Sequence, residues 1–383
     1  RLVVHPATPQ TVFAAVTSAG GFPEKVAAKG HPGRDGPVGV FRSVDGGATW
    51  VHLLGGLPER SATDLAMHPT NPATMVAAIG HIFGSGDNGL YRTTNGGTTW
   101  VKLGGGLPTA NVGRISVAYA PSQPSRLYAL ITNAASSSGG GASTLGGYRS
   151  DDGGTTWTSI PVGNIQSSYG WYLSTVTVHP TAPDTVFMGG LTLVRSTNAG
   201  ATWATVTPPH VDLHALTWDA SGRLLAGDDG GLHRSASLGN SWTSLTSGLG
   251  SIQFYAGLSV HPGDPGVAIG GVRENGRNGR SFAGVGVRVK RGGGGVTGVD
   301  PGNPQRVFAE SQGTGNLYRS TNGGTSFTLS RSGINTGDRN CFLPPFAIDP
   351  TNSSRMLYAT HRVYESVNGG LNWTAISGDV TAG

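Results

Sequence analysis

The chain has 383 residues, including 64 glycines and 23 prolines, and carries a formal charge of +5 at pH 7. No run of about 18 apolar residues occurs, so no membrane-spanning helix is predicted, and the glycines lack the G-X-Y period of collagen. The basic residues are spread along the chain rather than clustered, which argues against nucleic acid as a partner.

The first predicted element is a hairpin built around a proline turn. Residues 3–15 read VVHPATPQTVFAA, in which short apolar runs flank a His-Pro pair and a second proline. Proline cannot donate to a strand ladder, so it belongs in the turn. The pattern recurs at 65–78, 117–130, 176–189, 258–271, 296–310 and 346–360, with a proline-poor copy at 216–227. His or Asp precedes the first proline in all the proline-containing copies except 117–130, which has Ala.

The second element, which we call the box, is FRSVDGGATW at residues 41–50. Asp or Asn followed by Gly-Gly predicts a tight turn, in which the Asx side chain bonds the turn backbone and glycine takes positive φ. The box recurs at 91–100, 148–157, 194–203, 233–242, 318–327 and 364–373. We predict equivalent buried positions for its aromatic residues, which are Trp50, Trp100, Trp157, Trp203, Trp242, Phe327 and Trp373.

The alternation of the two hairpins predicts four-stranded antiparallel blades. The proline hairpin supplies strands A and B, and the box hairpin supplies strands C and D. A unit that recurs roughly every 40–50 residues is typical of a β-propeller. We predict an all-β fold, a single eight-bladed β-propeller domain over residues 1–383, with seven blades as the alternative if two units merge. The expected blades are 1–54, 62–104, 114–161, 172–207, 212–246, 254–290, 295–331 and 344–377, and the sixth has lost its box near Ser281–Lys290.

Variation between the repeats predicts which face carries function. One end of each blade carries the start of strand A, the end of strand B and the start of the B–C loop. The proline turns and boxes lie at the other end. The B–C loops are expected to be long in three blades, at Thr17–Val38, Thr132–Gly147 and Arg273–Gly284. We therefore predict the ligand site on this loop-rich face.

Residues that break the repeat cluster at the same ends of the strands. The candidate catalytic carboxylates are Asp212, Asp228, Asp229, Glu274 and Glu310. The candidate ligand-binding residues are Trp171, Tyr172, His210, His214, Tyr255, Arg273, His361 and Arg362. His210, Asp212 and His214 are expected to alternate along strand A of blade 5 and to point one way, which makes them weak candidates for metal ligands.

Each of these candidates has a structural alternative. The polar residues could line the channel of a propeller, Asp228 and Asp229 could form a turn before Gly230, and the aromatic residues could pack between blades. No metal and no cofactor are predicted.

The box resembles the Asp-box, or BNR repeat, and its alternation with HPxxP hairpins is most similar to the xyloglucanase-like and sortilin-like group. His210–His214, Gly227–Gly231 and Gly270–Gly276 are similar to secreted bacterial proteins of this kind that are called glycosyl hydrolase-like. The resemblance implies a propeller. It implies little about activity, because the boxes of the family lie away from its catalytic sites, and a xyloglucanase cleft lies between two propellers.

Two functions of different classes fit these observations. The first is a secreted, non-catalytic recognition or scaffold propeller that binds a polysaccharide or a protein partner on its loop-rich face. The alternative is a carbohydrate-active enzyme, glycoside hydrolase-like, with paired carboxylates at the propeller mouth.

The expected location is secreted, extracellular or periplasmic, in a bacterium. The single cysteine, Cys341, excludes an internal disulfide and is expected to be buried. The sequence does not predict the oligomeric state.

Overall fold

A computed structural model describes residues 1–17, 37–136, 141–247, 249, 254–272, 276–281, 285–288, 294–341 and 343–381. All regular structure in these ranges is β, and none of their segments forms a helix of the length and apolarity that a bilayer crossing requires. The chain divides into two compact units, Arg1–Ser247 and Gly248–Gly383. Each unit is described by itself, and the prediction of a single domain stays a prediction.

The first unit contains five blades, each a four-stranded antiparallel sheet in the order A-B-C-D. Blade 1 has β1 (Leu2–Val4), β2 (Val12–Val16), β3 (Gly39–Ser43) and β4 (Val51–His52). Blade 2 has β5 (Ala62–Met67), β6 (Met75–Ile79), β7 (Gly89–Thr93) and β8 (Val101–Lys102). Blade 3 has β9 (Val112–Ala120), β10 (Gln123–Asn133), β11 (Thr144–Ser150) and β12 (Thr158–Ile160). Blade 4 has β13 (Thr175–Val178), β14 (Val186–Gly189), β15 (Leu193–Ser196) and β16 (Ala204–Val206). Blade 5 has β17 (Leu213–Trp218), β18 (Leu224–Asp228), β19 (Gly231–Ser235) and β20 (Thr243–Ser244).

The second unit contains three blades with the same strand order. Blade 6 has β21 (Phe254–His261), β22 (Asp264–Val272), β23 (Gly276–Ser281) and β24 (Val285–Arg288). Blade 7 has β25 (Gly294–Asp300), β26 (Asn303–Ser311), β27 (Leu317–Ser320) and β28 (Thr328–Leu329). Blade 8 has β29 (Phe346–Ile348), β30 (Met356–Ala359), β31 (Val363–Ser366) and β32 (Thr374–Ala375). The prediction of an all-β fold with eight four-stranded blades is confirmed.

Two of the predicted long B–C loops need comment. The loop of blade 6 is wrong as predicted, because β23 occupies most of Arg273–Gly284 and leaves only residues 273–275 between β22 and β23. Because that segment is rich in glycine and arginine, its sequence did not predict a strand. The strand pairs with β22 along six residues. In blade 1, residues 18–36 of the predicted loop lie outside the described residues.

The box turns have the predicted side-chain bonds. In blade 3, Ser150 Oγ donates to Asp152 Oδ1 at 2.8 Å and accepts from Gly154 N at 2.9 Å, while Thr156 N donates to Asp152 Oδ1 at 2.9 Å. Gly153 and Gly154 take φ of 73° and 91°, which residues with a Cβ rarely adopt. The box carboxylate therefore holds its own turn together.

The histidine of the proline turn has an equally local role. His68 Nδ1 accepts from Thr70 N at 3.3 Å and from Asn71 N at 3.1 Å, so the ring acts as a cap for the turn. Asp349 does the same in blade 8, where its Oδ1 accepts from Thr351 N at 2.9 Å. This shared acceptor role explains why the sequence alternates between His and Asp at that position.

The arginine of each box links successive blades within the first unit. Arg92 Nη1 donates to Gly153 O and Arg149 Nη1 donates to Ala199 O, both at 2.8 Å, so each guanidinium reaches the box turn of the next blade. Arg42 reaches Gly96 O at 3.5 Å. These contacts give the regularly spaced arginines a structural role.

Apolar clusters between successive blades form the core. Phe13 and Val40 of blade 1 pack with Met75 and Trp100 of blade 2, and equivalent clusters lie between the later pairs of each unit. Trp100, Trp157 and Trp373 are buried as predicted, whereas Trp203, Trp242 and Phe327 are partly buried and Trp50 is 40% exposed. The prediction is wrong for Trp50 because blade 1 has no preceding blade in its unit to cover the indole.

Candidate functional site

The candidate residues of blade 5 lie around the start of strand A, but not as a regular alternation. β17 begins at Leu213, and Asp212 has a φ of 59°, so only His214 of the predicted His-x-Asp-x-His set lies on the strand. The prediction that the three side chains share one face is therefore wrong, because alternation requires an extended backbone at every residue.

A β-bulge places His214. Leu213 pairs with Asp228 and Ala215 pairs with Gly227, so His214 is the extra residue on its strand. A bulge turns the side chain of the extra residue away from the regular pleat. His214 Nε2 lies 2.6 Å from Asp229 Oδ1, at the end of β18. The histidine side chain is 34% exposed, whereas the side chain of Asp229 is only 9% exposed.

A second histidine–carboxylate pair lies deeper in the same blade. Asp228 Oδ2 is 3.1 Å from His233 Nδ1 on β19, and the carboxylate side chain has no solvent exposure. Asp228 Oδ1 also accepts from Gly230 N at 2.9 Å. Burial raises the pKa of Asp228, and the nearby His233 and His210 oppose that rise. The half-buried ring of His210 packs against Gly230, where a Cβ would meet its Cγ at 2.6 Å.

Aromatic residues of blade 4 lie against this histidine pair. The rings of Tyr172 and His214 meet edge to face with centroids 4.9 Å apart, and Trp171 lies 5.3 Å from Tyr172. Arg114 Nη1 donates to Tyr172 O at 2.9 Å and approaches Trp171 O at 3.5 Å, which fixes the backbone of the pair. Tyr169, one turn earlier, is 48% exposed. We call Tyr169, Trp171 and Tyr172 the aromatic platform.

The candidates in the second unit have local structural partners. Glu310 is fully buried, and its Oε2 accepts from Val296 N at 3.2 Å. Arg362 Nε lies 3.0 Å from Asp338 Oδ2, and Arg362 Nη2 donates to His361 Nε2 at 3.1 Å. Glu310 is therefore placed as a core acceptor, and Arg362 as the partner of a buried carboxylate.

Three candidates lie wholly or partly outside the described residues. Arg273 and Glu274 lie outside the described residues. Tyr255 lies on β21, but its side chain is also outside the described part of the chain. Their predicted roles stay predictions.

The geometry of blade 5 can orient a histidine but does not assemble a metal site. Among the described residues, no group of three His, Cys, Asp or Glu side chains is arranged to hold a metal ion. Asp228 and Asp229 each face a different histidine, so these neighbouring carboxylates belong to two separate pairs.

Two residues of this region were not among the candidates from sequence. Arg114 sits near the start of a strand A where other repeats carry small or apolar residues, such as Ala62 and Leu173. His233 occupies the first position of the box, which is aromatic or valine in the other copies. Aligning the repeats position by position shows that both residues depart from the residue types of the other copies.

Comparisons with known proteins give distant structural similarities. No protein-family model matches the chain, and no curated protein matches it in sequence. Solved structures to which the chain is similar include a GH74 enzyme from Niastella koreensis, with 16% identity and a TM-score of 0.48 over 99% of this chain and 66% of that one. An ancestral GH74 enzyme gives 14% identity and a TM-score of 0.42, over 98% of this chain and 53% of that one.

A peptide-bound structure gives a lower TM-score. YCF48 bound to D1 peptide is 14% identical with a TM-score of 0.37, over 82% of this chain and 93% of that one. The chain spans about two thirds of the Niastella enzyme and about half of the ancestral one. At these identities and TM-scores, the similarity supports no conclusion about activity or ligand.

Proposed function

We propose that this protein is a non-catalytic recognition module, which binds a polysaccharide or a protein partner on the aromatic platform and the adjoining surface of blade 5. The observation that carries the proposal is the state of the carboxylates beside that platform. Asp228 and Asp229 are each held by a histidine, whereas Tyr169 and the neighbouring Val211 are 48% and 52% exposed. Exposed aromatic and apolar side chains beside fixed polar groups are typical of a binding surface.

A glycosidase has one specific observation in its favour, which is the raised pKa of Asp228. A general acid needs such a shift, and a second carboxyl group must face it across the scissile bond. The side chain of Asp228 has no solvent exposure, however, and its two oxygens face Gly230 N and His233. We therefore favour binding over hydrolysis.

The proposal includes a location outside the cell, where polysaccharides and surface proteins are accessible. The test combines a glycan array and an affinity capture from the native secretome with a reducing-sugar assay on plant and microbial polysaccharides. We expect a bound ligand and no released reducing ends.

Two variants localise the binding site. Tyr169→Ala and Trp171→Ala should weaken binding of whichever ligand is found, because they shrink the platform. Trp50→Ala removes an exposed indole from the box end of blade 1 and serves as the control, with binding unchanged. Turnover by the wild-type protein, or equal binding by all three variants, would refute the proposed function.

A further inference from the structure

His214 presents one ring nitrogen whose hydrogen-bonding character is fixed by the other. Nε2 lies 2.6 Å from Asp229 Oδ1, and an ionised carboxylate can only accept, so Nε2 carries the proton of the neutral ring. Nδ1 is then an acceptor. Within the described part of the chain, no group bonds to Nδ1, and the side chain is 34% exposed. The site therefore offers a ligand one oriented acceptor.

The aromatic platform lies directly beside that acceptor. Tyr172 contacts the His214 ring at 4.9 Å, Trp171 follows at 5.3 Å, and Arg114 holds their backbone through Tyr172 O. An aromatic surface next to a fixed acceptor matches a pyranose ring, which has an apolar face of C–H groups and hydroxyl donors at its edge.

Most of the charged groups around the acceptor are carboxylates. Asp229 faces His214, and Asp228 faces His233 with His210 close by. Arg114 is the cation beneath the platform, and the buried Asp64 interacts with it electrostatically. Because Asp229 keeps its negative charge beside a neutral His214, this surface disfavours an anionic ligand, and a neutral ligand fits it better.

We propose that a neutral saccharide stacks on the aromatic platform and donates a hydroxyl hydrogen bond to His214 Nδ1, so that binding requires the unprotonated imidazole. The inference rests on the proposed function and names its ligand class. Histidine changes its charge between about pH 5 and 8. Protonation places a hydrogen on Nδ1 and converts the acceptor into a donor, so binding weakens in acid.

The groups that face His214 define the controls for this pH dependence. Asp229 faces it from the end of β18, and the Tyr172 ring faces it from the segment before β13. His210 is a further histidine of this region and lies near Asp228. His210→Gln therefore tests whether the second histidine produces the effect, and it should leave the pH profile unchanged.

Two substitutions of His214 separate its two nitrogens. Asparagine places an amide oxygen where Nδ1 lies, so His214→Asn keeps the acceptor without a titratable group. Glutamine reaches the position of Nε2, so His214→Gln keeps the contact with Asp229 and loses the acceptor. A lost hydrogen bond costs about 1–2 kcal/mol, which corresponds to roughly 5- to 30-fold in affinity.

The experiment measures calorimetric binding of cellohexaose, xylohexaose and mannohexaose at pH 8 and pH 5, with hexagalacturonate as the charged control. We expect at least one neutral hexasaccharide to bind the wild-type protein roughly tenfold more weakly at pH 5. His214→Asn should bind equally at both pH values, and His214→Gln should bind weakly at both. The charged control should not bind.

A ligand-free measurement tests the acceptor directly. Nitrogen chemical shifts of the ¹⁵N-labelled His214 ring should show the Nε2–H tautomer in the wild-type protein, and this preference should decrease in Asp229→Asn.

Three results would overturn the inference. They are an Nδ1–H tautomer, equal saccharide binding by the wild-type protein at both pH values, or no binding of any neutral hexasaccharide. In each of these cases the proposed function survives if another ligand, such as a protein, still depends on Tyr169 and Trp171. Loss of that dependence would refute the proposed function instead.

Discussion

Removing a box indole should destabilise the protein by an amount that follows how well the preceding blade covers it. Trp157 is 5% exposed and Trp50 is 40% exposed, although both occupy the same box position. Each donates its indole N–H at 3.0 Å to a turn carbonyl, of Gly154 and of Gly47 respectively. Trp157→Ala and Trp50→Ala thus lose the same hydrogen bond and differ mainly in buried area and in the cavity left behind.

The expected magnitudes follow from these exposures. Full burial of a tryptophan removes about 150–250 Å² from water, which is worth ~4–6 kcal/mol at ~25 cal/mol per Å², an upper bound because unfolded chains already bury part of it. For Trp157→Ala we expect a loss of about 3–5 kcal/mol in the free energy of unfolding, which includes the cavity. Trp50→Ala should cost about 2 kcal/mol, because its site is partly open and leaves no closed cavity.

Urea unfolding followed by circular dichroism measures both variants without relying on tryptophan fluorescence. Both midpoints should fall, that of Trp157→Ala by about twice as much, with unchanged slopes. An equal loss for the two variants would show that the preceding blade does not determine the contribution of the box aromatic.

Three further predictions concern the turns, the links between blades and the cysteine. Arg92→Met should cost about 1.5–3 kcal/mol by urea unfolding, because it removes a charged donor 2.8 Å from Gly153 O, and Arg42→Met should cost less because its contact is 3.5 Å. Burial lowers the pKa of His68, so its contribution to stability is complete above about pH 6.5 and is lost as the pH falls below that value. His68→Asp keeps the cap and should reduce the loss of stability between pH 7.5 and 5.5. An unchanged loss would show that groups other than His68 cause the acid sensitivity. Cys341 is exposed, contrary to expectation, and should react with a thiol reagent as completely in native buffer as in denaturant.

The repeat architecture was predictable because each blade is built from the same short turn and strand patterns. Turn chemistry at Asp-Gly-Gly and at His-Pro is decided within a few residues, and both turns lie where the sequence predicted them. Strands of period two follow from the same copies. The exceptions are Trp50, in the first blade of its unit, and β23, in the glycine-rich part of blade 6.

The candidate site was only partly predictable, because it depends on backbone detail and on pairing between strands. The residue types His214, Asp228 and Asp229 stood out as breaks in the repeat. The left-handed Asp212 and the bulge at His214 are single-residue features, and they changed the side-chain directions that alternation implied. The histidine partners of the carboxylates come from strands A and C. The register between strands depends on both strands, so the sequence of one segment does not predict it.

His233 shows how the deeper pair supports the exposed one. The same box position is apolar or aromatic in the other copies, namely Phe41, Tyr91, Tyr148, Val194, Tyr318 and Tyr364. A buried ion pair seldom stabilises a protein more than well-packed apolar residues in the same place. Stability therefore does not explain why blade 5 has His233 next to Asp228. Asp228 does fix the turn after β18, because its Oδ1 accepts from Gly230 N while its Oδ2 lies 3.1 Å from His233 Nδ1. Asp229 is the next residue along that turn and holds His214. The buried pair therefore acts through the backbone to orient the exposed histidine, and blade 5 departs from the repeat because it carries the site.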